Sequence, residues 1–266
     1  DVTLNNGSRA ISLATFTTEG NLSLTSSAAI DVKAHTVNGN LTVESGGAIS
    51  QTGALTVTGT SNFTSTGTNT NITLATTTNN FGNAVTLTTA GTSGDVSIDN
   101  NTNALGLAGL VSGNLTVVNG AAITDSATLR VTGTSDFTID TGSNHITLGT
   151  GDLEGAITVN TTATSNFTLD NVTQAVILAG GTINGALSIT TGGTITDTGG
   201  TTVTGTSAFI TDVDNQDIVL DSANDFRGAV TFTTQGSGGD VSIDNGTRAL
   251  GLAGLVSGNL TVVNGA

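Results

Sequence analysis

Residues 81–121, FGNAVTLTTAGTSGDVSIDNNTNALGLAGLVSGNLTVVNGA, return as residues 226–266, FRGAVTFTTQGSGGDVSIDNGTRALGLAGLVSGNLTVVNGA. The two stretches agree at 33 of 41 positions without a gap, at an offset of 145. A second repeated stretch starts at Gly39 with GNLTVESGGAISQTGALTVTGTSNFT. It recurs from Gly113 as GNLTVVNGAAITDSATLRVTGTSDFT, from Gly185 as GALSITTGGTITDTGGTTVTGTSAFI, and from Gly258 as nine residues. These starts lie 74, 72 and 73 residues apart, so the repeating unit is about 73 residues and 145 is two of them. A chain made of one recurring piece buries that piece against its own copies.

The organisation follows: a partial repeat 1–38, super-repeats 39–112, 113–184 and 185–257, and a partial repeat 258–266, all in a single continuous solenoid over 1–266. The opening DVTLNNGSRAISL corresponds to DVSIDNNTNALGL from Asp95 and DVSIDNGTRALGL from Asp240. Neither terminus therefore reads as a polar capping unit. The expectation is an excerpt of a longer array, or a protomer that stacks end to end on copies of itself.

Within one super-repeat the pattern has period two. Leu41-Thr42-Val43, Leu55-Thr56-Val57, Ile72-Thr73-Leu74, Val85-Thr86-Leu87 and Val96-Ser97-Ile98 alternate apolar and small polar residues. Alternate strand side chains point to opposite faces, so the aliphatic residues share one face and Thr or Ser the other. Corners such as Ser45-Gly46-Gly47 and Asp99-Asn100-Asn101 separate them, with residues that tolerate left-handed backbone angles. Strands this short suit a parallel β-helix, in which each pairs with its counterpart one coil away. About three coils of roughly 22–26 residues per super-repeat, and about eleven in all, are expected at the ~4.8 Å strand spacing.

Composition agrees. The 266 residues include 37 Gly, eight Phe and no Pro, Cys, Met, Trp or Tyr. A narrow interior filled by Val, Ile and Leu has little room for larger rings, and Pro would remove a donor from strands paired on both sides. Phe63, Phe137 and Phe209 occupy one equivalent position and are expected to stack in the core. Five basic against 20 acidic residues leave a net charge of −15, which excludes an electrostatic footprint for nucleic acid. No apolar run approaches the roughly 18 residues of a membrane-spanning helix, so no membrane insertion is expected.

The patterns GxLTVxxGGAITxTGxLTVTGTSxF and NITLxxxxNxFxGAVTLTTxG resemble the repeats of bacterial filamentous-haemagglutinin-like adhesins. Those are large exoproteins of two-partner secretion systems and related autotransporter-type surface proteins. The resemblance covers the whole chain. It implies a right-handed parallel β-helix, export across a Gram-negative outer membrane to the cell surface, and a role as a stalk or adhesive fibre.

The inventory for chemistry is thin. His35 and His145 are the two histidines, at non-equivalent positions, and His145 aligns with the corner residues Asn71 and Asp217. No nucleophile–histidine grouping has a recognisable spacing. Some parallel β-helices cleave polysaccharides, but such sites need clustered carboxylates and sugar-stacking aromatics, so an enzyme is not expected and no catalytic residue is assigned. Asp212, Asp214, Asp217, Asp221 and Asp225, five carboxylates within fourteen residues, are the one candidate metal site, for Ca²⁺. Their spacing lacks the Gly and Glu of an EF-hand loop, and a solvated acidic corner is the competing reading. Asn-x-Thr sequons at Asn40, Asn62, Asn71, Asn114, Asn166 and Asn259 read as by-products of an Asn- and Thr-rich repeat. Thr58-Gly59-Thr60 and its copies recur only once per super-repeat, too sparsely for an ice-binding face. The functional expectation is a structural and adhesive segment of a large extracellular surface protein. Its partners would be adjoining repeats or copies of itself, and surface glycans; a self-assembling filament protomer is the alternative.

Overall fold

The computed structural model describes residues 1–265, and every regular element among them is a β-strand. The strands form a parallel β-solenoid. It comprises two compact units, one ending at Thr134 and the other beginning at Ser135, each with its own interior.

In the first unit, seven parallel strands make the first sheet: Val2–Asn5, Leu22–Ser26, Leu41–Ser45, Ser61–Thr68, Val85–Ala90, Leu105–Val111 and Ile123–Val131. A second sheet runs through Ile11–Ser12, Ile30–Val32, Ile49–Gln51, Ile72–Leu74, Val96–Asp99 and Leu115–Asn119. Phe16–Thr18, His35–Val37, Leu55–Val57 and Asn80–Phe81 form a short third sheet. Each turn visits the sheets in order, so strand neighbours are successive turns. Register places Leu24, Val43, Phe63 and Leu87 in one inward column, every one of them fully buried. Ser23, Thr42, Asn62 and Thr86 stand in the neighbouring outward column. Each buried aliphatic side chain contributes roughly 1.5–3 kcal/mol, spread evenly over the turns rather than concentrated in one nucleus.

The second unit repeats this plan. Ile146–Leu148, Phe167–Asp170, Leu187–Thr191, Ser207–Asp214, Val230–Gln235 and Leu252–Leu255 form its first sheet. Its second contains Ser135–Ile139, Ala156–Asn160, Val176–Ile183, Ile195–Asp197, Ile218–Leu220, Val241–Asp244 and Leu260–Val263, with Thr201–Val203 and Asp225–Phe226 attached.

The turns are tighter than the sequence spacing predicts. Residues in register on successive turns of the first unit are 18 to 24 apart, so the chain makes about thirteen turns in place of eleven. From Leu41 the register steps through Ser61, Val85 and Leu107, which is three turns, and the homologous Leu115 follows half a turn later in the other sheet. One super-repeat is thus three and a half turns, and homologous strands alternate between sheets. In the second unit Leu187–Thr191 lies in the first sheet and its homologue Leu260–Val263 in the second.

The same half-turn separates the equivalent phenylalanines. Phe137 sits in the second sheet of its unit and Phe209 in the first, so these two do not stack. Phe63, Phe137 and Phe209 are all fully buried, as expected. Phe209 instead stacks on Phe232 at 5.8 Å and meets Phe226 edge-on at 5.6 Å, while Phe63 meets Phe81 edge-on at 5.9 Å.

Candidate functional site

The five aspartates proposed for Ca²⁺ do not converge. Asp212 and Asp214 are exposed at the end of Ser207–Asp214, Asp217 precedes Ile218–Leu220, Asp221 follows it, and Asp225 lies on the short strand Asp225–Phe226. Fourteen residues cover most of one turn here, so proximity in sequence spreads the carboxylates around a perimeter. Three of them have other partners. Asp217 Oδ1 accepts the Asp240 amide at 2.9 Å, and Asp221 Oδ1 accepts the Ser242 hydroxyl at 2.6 Å. Asp225 accepts from Arg227 Nε at 2.9 Å and pairs with Arg248. Among the described residues no three His, Cys, Asp or Glu side chains are grouped to hold a metal.

The Asp225 and Asp136 carboxyls are perturbed. Burial pushes the Asp225 carboxyl up, but hydrogen bonds and charge from Arg227 and Arg248 outweigh it and hold the group below its ordinary value. Burial alone raises Asp136, whose Oδ1 is buried without a hydrogen-bond partner. A raised folded-state value means the native chain holds the proton more tightly than the unfolded chain. The cost is therefore absent below the unfolded carboxyl range and grows as pH rises towards the folded value. Asp136→Asn is expected to raise the melting temperature at pH 7 and leave it unchanged at pH 3. An equal gain at both pH values would assign it to packing instead of charge.

His145 is exposed at its corner, where Nδ1 accepts the Asn166 amide at 3.0 Å. His35 points inward: its Nδ1–H donates to the Lys33 carbonyl at 3.0 Å and its ring meets Phe16 edge-on at 4.2 Å. His35 thus opens a strand of the first unit, and His145 sits at a corner of the second.

Asparagine carries two roles that the repeat pattern alone does not reveal. Buried at inner corners, Asn79, Asn100, Asn171 and Asn245 accept through Oδ1 the amides of Leu55, Phe81, Leu153 and Phe226 on another turn, at 2.6–2.9 Å. Their Nδ2 groups donate to backbone carbonyls around the same corner, such as Ala104 at 3.0 Å for Asn100 and Ala175 at 3.1 Å for Asn171. Each side chain replaces ladder bonds that the bend removes.

At outer corners the side-chain oxygen of one turn accepts the backbone amide of the next. Asn21 accepts from Asn40, Asn40 from Thr60, Asn71 from Asp95, Asp95 from Asn114 and Asn114 from Thr134, at 2.8–3.0 Å. Asn166 accepts from Ala186 at 2.8 Å and Asp240 from Asn259 at 2.7 Å. The sequons at Asn40, Asn71, Asn114 and Asn166 thereby acquire a physical cause: a corner clamp, then an inward apolar residue, then an outward Thr. Corner placement was legible in the sequence, but the bond to the next turn needs inter-turn register.

On the second sheet of the first unit these clamps border a trough of about 250 Å³, lined by Asn71, Thr73, Asp95, Ser97, Asn114 and Thr116 with the backbone of Ile72 and Val96. Thr73, Ser97 and Thr116 are register partners on three successive turns, and Asn71, Asp95 and Asn114 precede them. No sequence motif singles these six residues out, because they come from stretches 19 to 24 residues apart.

A protein-family model described as Repeats of unknown function (DUF5649) matches residues 19–88, 93–160 and 164–233. No curated protein and no solved structure matches the chain. The three matches begin 74 and 71 residues apart, close to the internal repeat, and cover more than three quarters of the sequence. With three consecutive copies of its repeat on a parallel β-solenoid, the chain belongs to the family described as Repeats of unknown function (DUF5649).

Proposed function

We propose that the chain is a structural and adhesive segment of a large extracellular bacterial surface protein, a stiff rod that carries binding surface outward. One observation carries this reading. The described residues form turn upon turn of parallel strands, with aliphatic columns inside and Ser, Thr and Asn columns outside. Inter-turn bonds at both inner and outer corners supplement the sheets and resist unwinding. A net charge of −15 keeps such rods soluble and apart. The resemblance to filamentous-haemagglutinin-like repeats supports the surface location.

End-to-end stacking of copies into a filament is the second reading. Val2 and Leu4 on the first strand, and Leu255, Leu260 and Val263 on the last two, are exposed apolar side chains. A second copy stacked on these strands covers them in this reading.

Two measurements on the native source test these readings. Antibody labelling of intact, unpermeabilised cells is expected to detect the protein, and labelling only after lysis would overturn both. Mass under denaturing conditions separates them: a value far above the 26.1 kDa of these residues supports the rod segment, and a value near it supports the filament.

A further inference from the structure

We propose that the trough on the second sheet of the first unit binds a linear, uncharged oligosaccharide laid along the stacking direction, about one sugar ring per turn. The inference deepens, and rests on, the adhesive part of the reading above. The six side chains offer what a polyol needs. The hydroxyls of Thr73, Ser97 and Thr116, the Nδ2 groups of Asn71 and Asn114, and Oδ2 of Asp95 have no hydrogen-bond partner among the described residues.

Their orientation is set beforehand. Oδ1 of Asn71 accepts the Asp95 amide at 3.0 Å, Oδ1 of Asp95 the Asn114 amide at 2.8 Å, and Oδ1 of Asn114 the Thr134 amide at 2.9 Å. Each planar group is therefore pinned by one oxygen and presents its remaining donor or acceptor to solvent, which lowers the ordering cost of binding. The groups repeat at the ~4.8 Å spacing of parallel strands, comparable to the length of one pyranose in an extended glycan.

Charge selects against acidic sugars. Asp95 stands in the middle of the trough, no Lys or Arg lines it, and the chain carries −15 overall. At about 250 Å³ the trough falls below the roughly 300 Å³ at which pockets begin to enclose a ligand, so the glycan lies on an open face. No aromatic ring lines it to stack on a sugar, and binding is accordingly weak.

The second unit supplies an internal comparison. Asp217, Val219, Asp240, Ser242, Asn259 and Thr261 take the equivalent places in its register. Val219 replaces the Thr73 hydroxyl, Asp217 adds a carboxylate, and the Ser242 hydroxyl is already donated to Asp221 at 2.6 Å. That column retains the clamps without the free hydroxyl row.

The test is amide NMR on the full chain, titrated separately with maltohexaose, cellohexaose, mannohexaose and N-acetylchitohexaose. At least one is expected to move the amides of Thr73, Asp95, Ser97, Asn114 and Thr116 saturably while residues 217–261 stay still. The outward variant T73V/S97A/T116V should weaken that binding tenfold or more with an unchanged melting temperature. Asp95→Asn keeps the clamp, as Asn71 and Asn114 do, and should change affinity severalfold without loss of fold. Shifts centred elsewhere, equal binding by the triple variant, or no saturable shift with any of the four sugars would overturn the proposal, the first two pointing to another face. A chain that labels on intact cells yet shows none of these shifts would sink this inference alone. A chain absent from the cell surface would sink the adhesive reading, whatever the titration shows.

Discussion

Gly109→Ala is expected to destabilise the first unit by about 3–5 kcal/mol, one of the two largest effects available to a single substitution here. Gly109 sits inside Leu105–Val111 at φ +113°, where side chains other than hydrogen are strained. A Cβ there would also drive into the Leu87 carbonyl oxygen on the adjacent turn. Neither atom has room to yield, because Leu87 is fully buried and its strand is paired on both sides. The glycine marks a register shift: Leu107 pairs with Asp125, but Gly109 pairs with Leu129. Ala108 alone faces Ser126, Ala127 and Thr128, so the partner strand Ile123–Val131 bulges and the next turn holds a longer stretch of chain. Gly181 at φ +114° against Val159, and Gly254 at φ +118° against Phe232, make the same close approach in the second unit, and Gly181 also lies at a register shift. Gly7→Ala is the control, since Gly7 has φ +55° and nothing within 4 Å of its added Cβ. It should cost only about 1–2 kcal/mol, the backbone term by itself. Urea unfolding of both variants checks this, and a Gly109→Ala loss no larger than the control's would show that the close approach relaxes.

Asn171→Asp is expected to be more damaging still at neutral pH, and Asn171→Ala to cost about 3 kcal/mol. Asn171 is fully buried; its Oδ1 accepts Leu153 N–H at 2.8 Å, and its Nδ2 donates to Leu153 and Ala175 carbonyls at 3.0 and 3.1 Å. Alanine leaves the amide and carbonyl of fully buried Leu153 without that partner, in a place water does not reach. Aspartate keeps the acceptor but turns an oxygen towards carbonyl oxygens, so the folded state favours the protonated acid. Its folded value is raised, and the penalty is therefore small below the unfolded carboxyl range and grows as pH rises towards the folded value. Urea unfolding at pH 4 and pH 7 should show Asn171→Asp losing stability between them while Asn171→Ala stays level. A pH-independent Asp variant would mean that the corner opens to water.

Much of this architecture was legible in the residues. Leu41-Thr42-Val43 and its relatives are short, period-two and separated by Gly and Asn corners, and such pieces bury their aliphatic face only by stacking in parallel. The core role of Phe63, Phe137 and Phe209 followed from the same alternation. The five aspartates from Asp212 to Asp225 misled because nearness along a solenoid turn is distance around a perimeter. Asn171 and Asn40 are both corner asparagines, yet one is an interior bracket and the other an outer clamp.

By itself, then, the sequence determined that the chain is a parallel β-solenoid and which side chains face its interior, because alternation and repetition are local properties of a strand. Tertiary structure alone decided the phase of the stack. Corner lengths differ from turn to turn, and only their accumulated sum makes 73 residues come to three and a half turns instead of three. That sum places homologous strands on alternate sheets, pins each outer-corner side chain to the next turn's amide, and lines up Thr73, Ser97 and Thr116 from three separate stretches of chain.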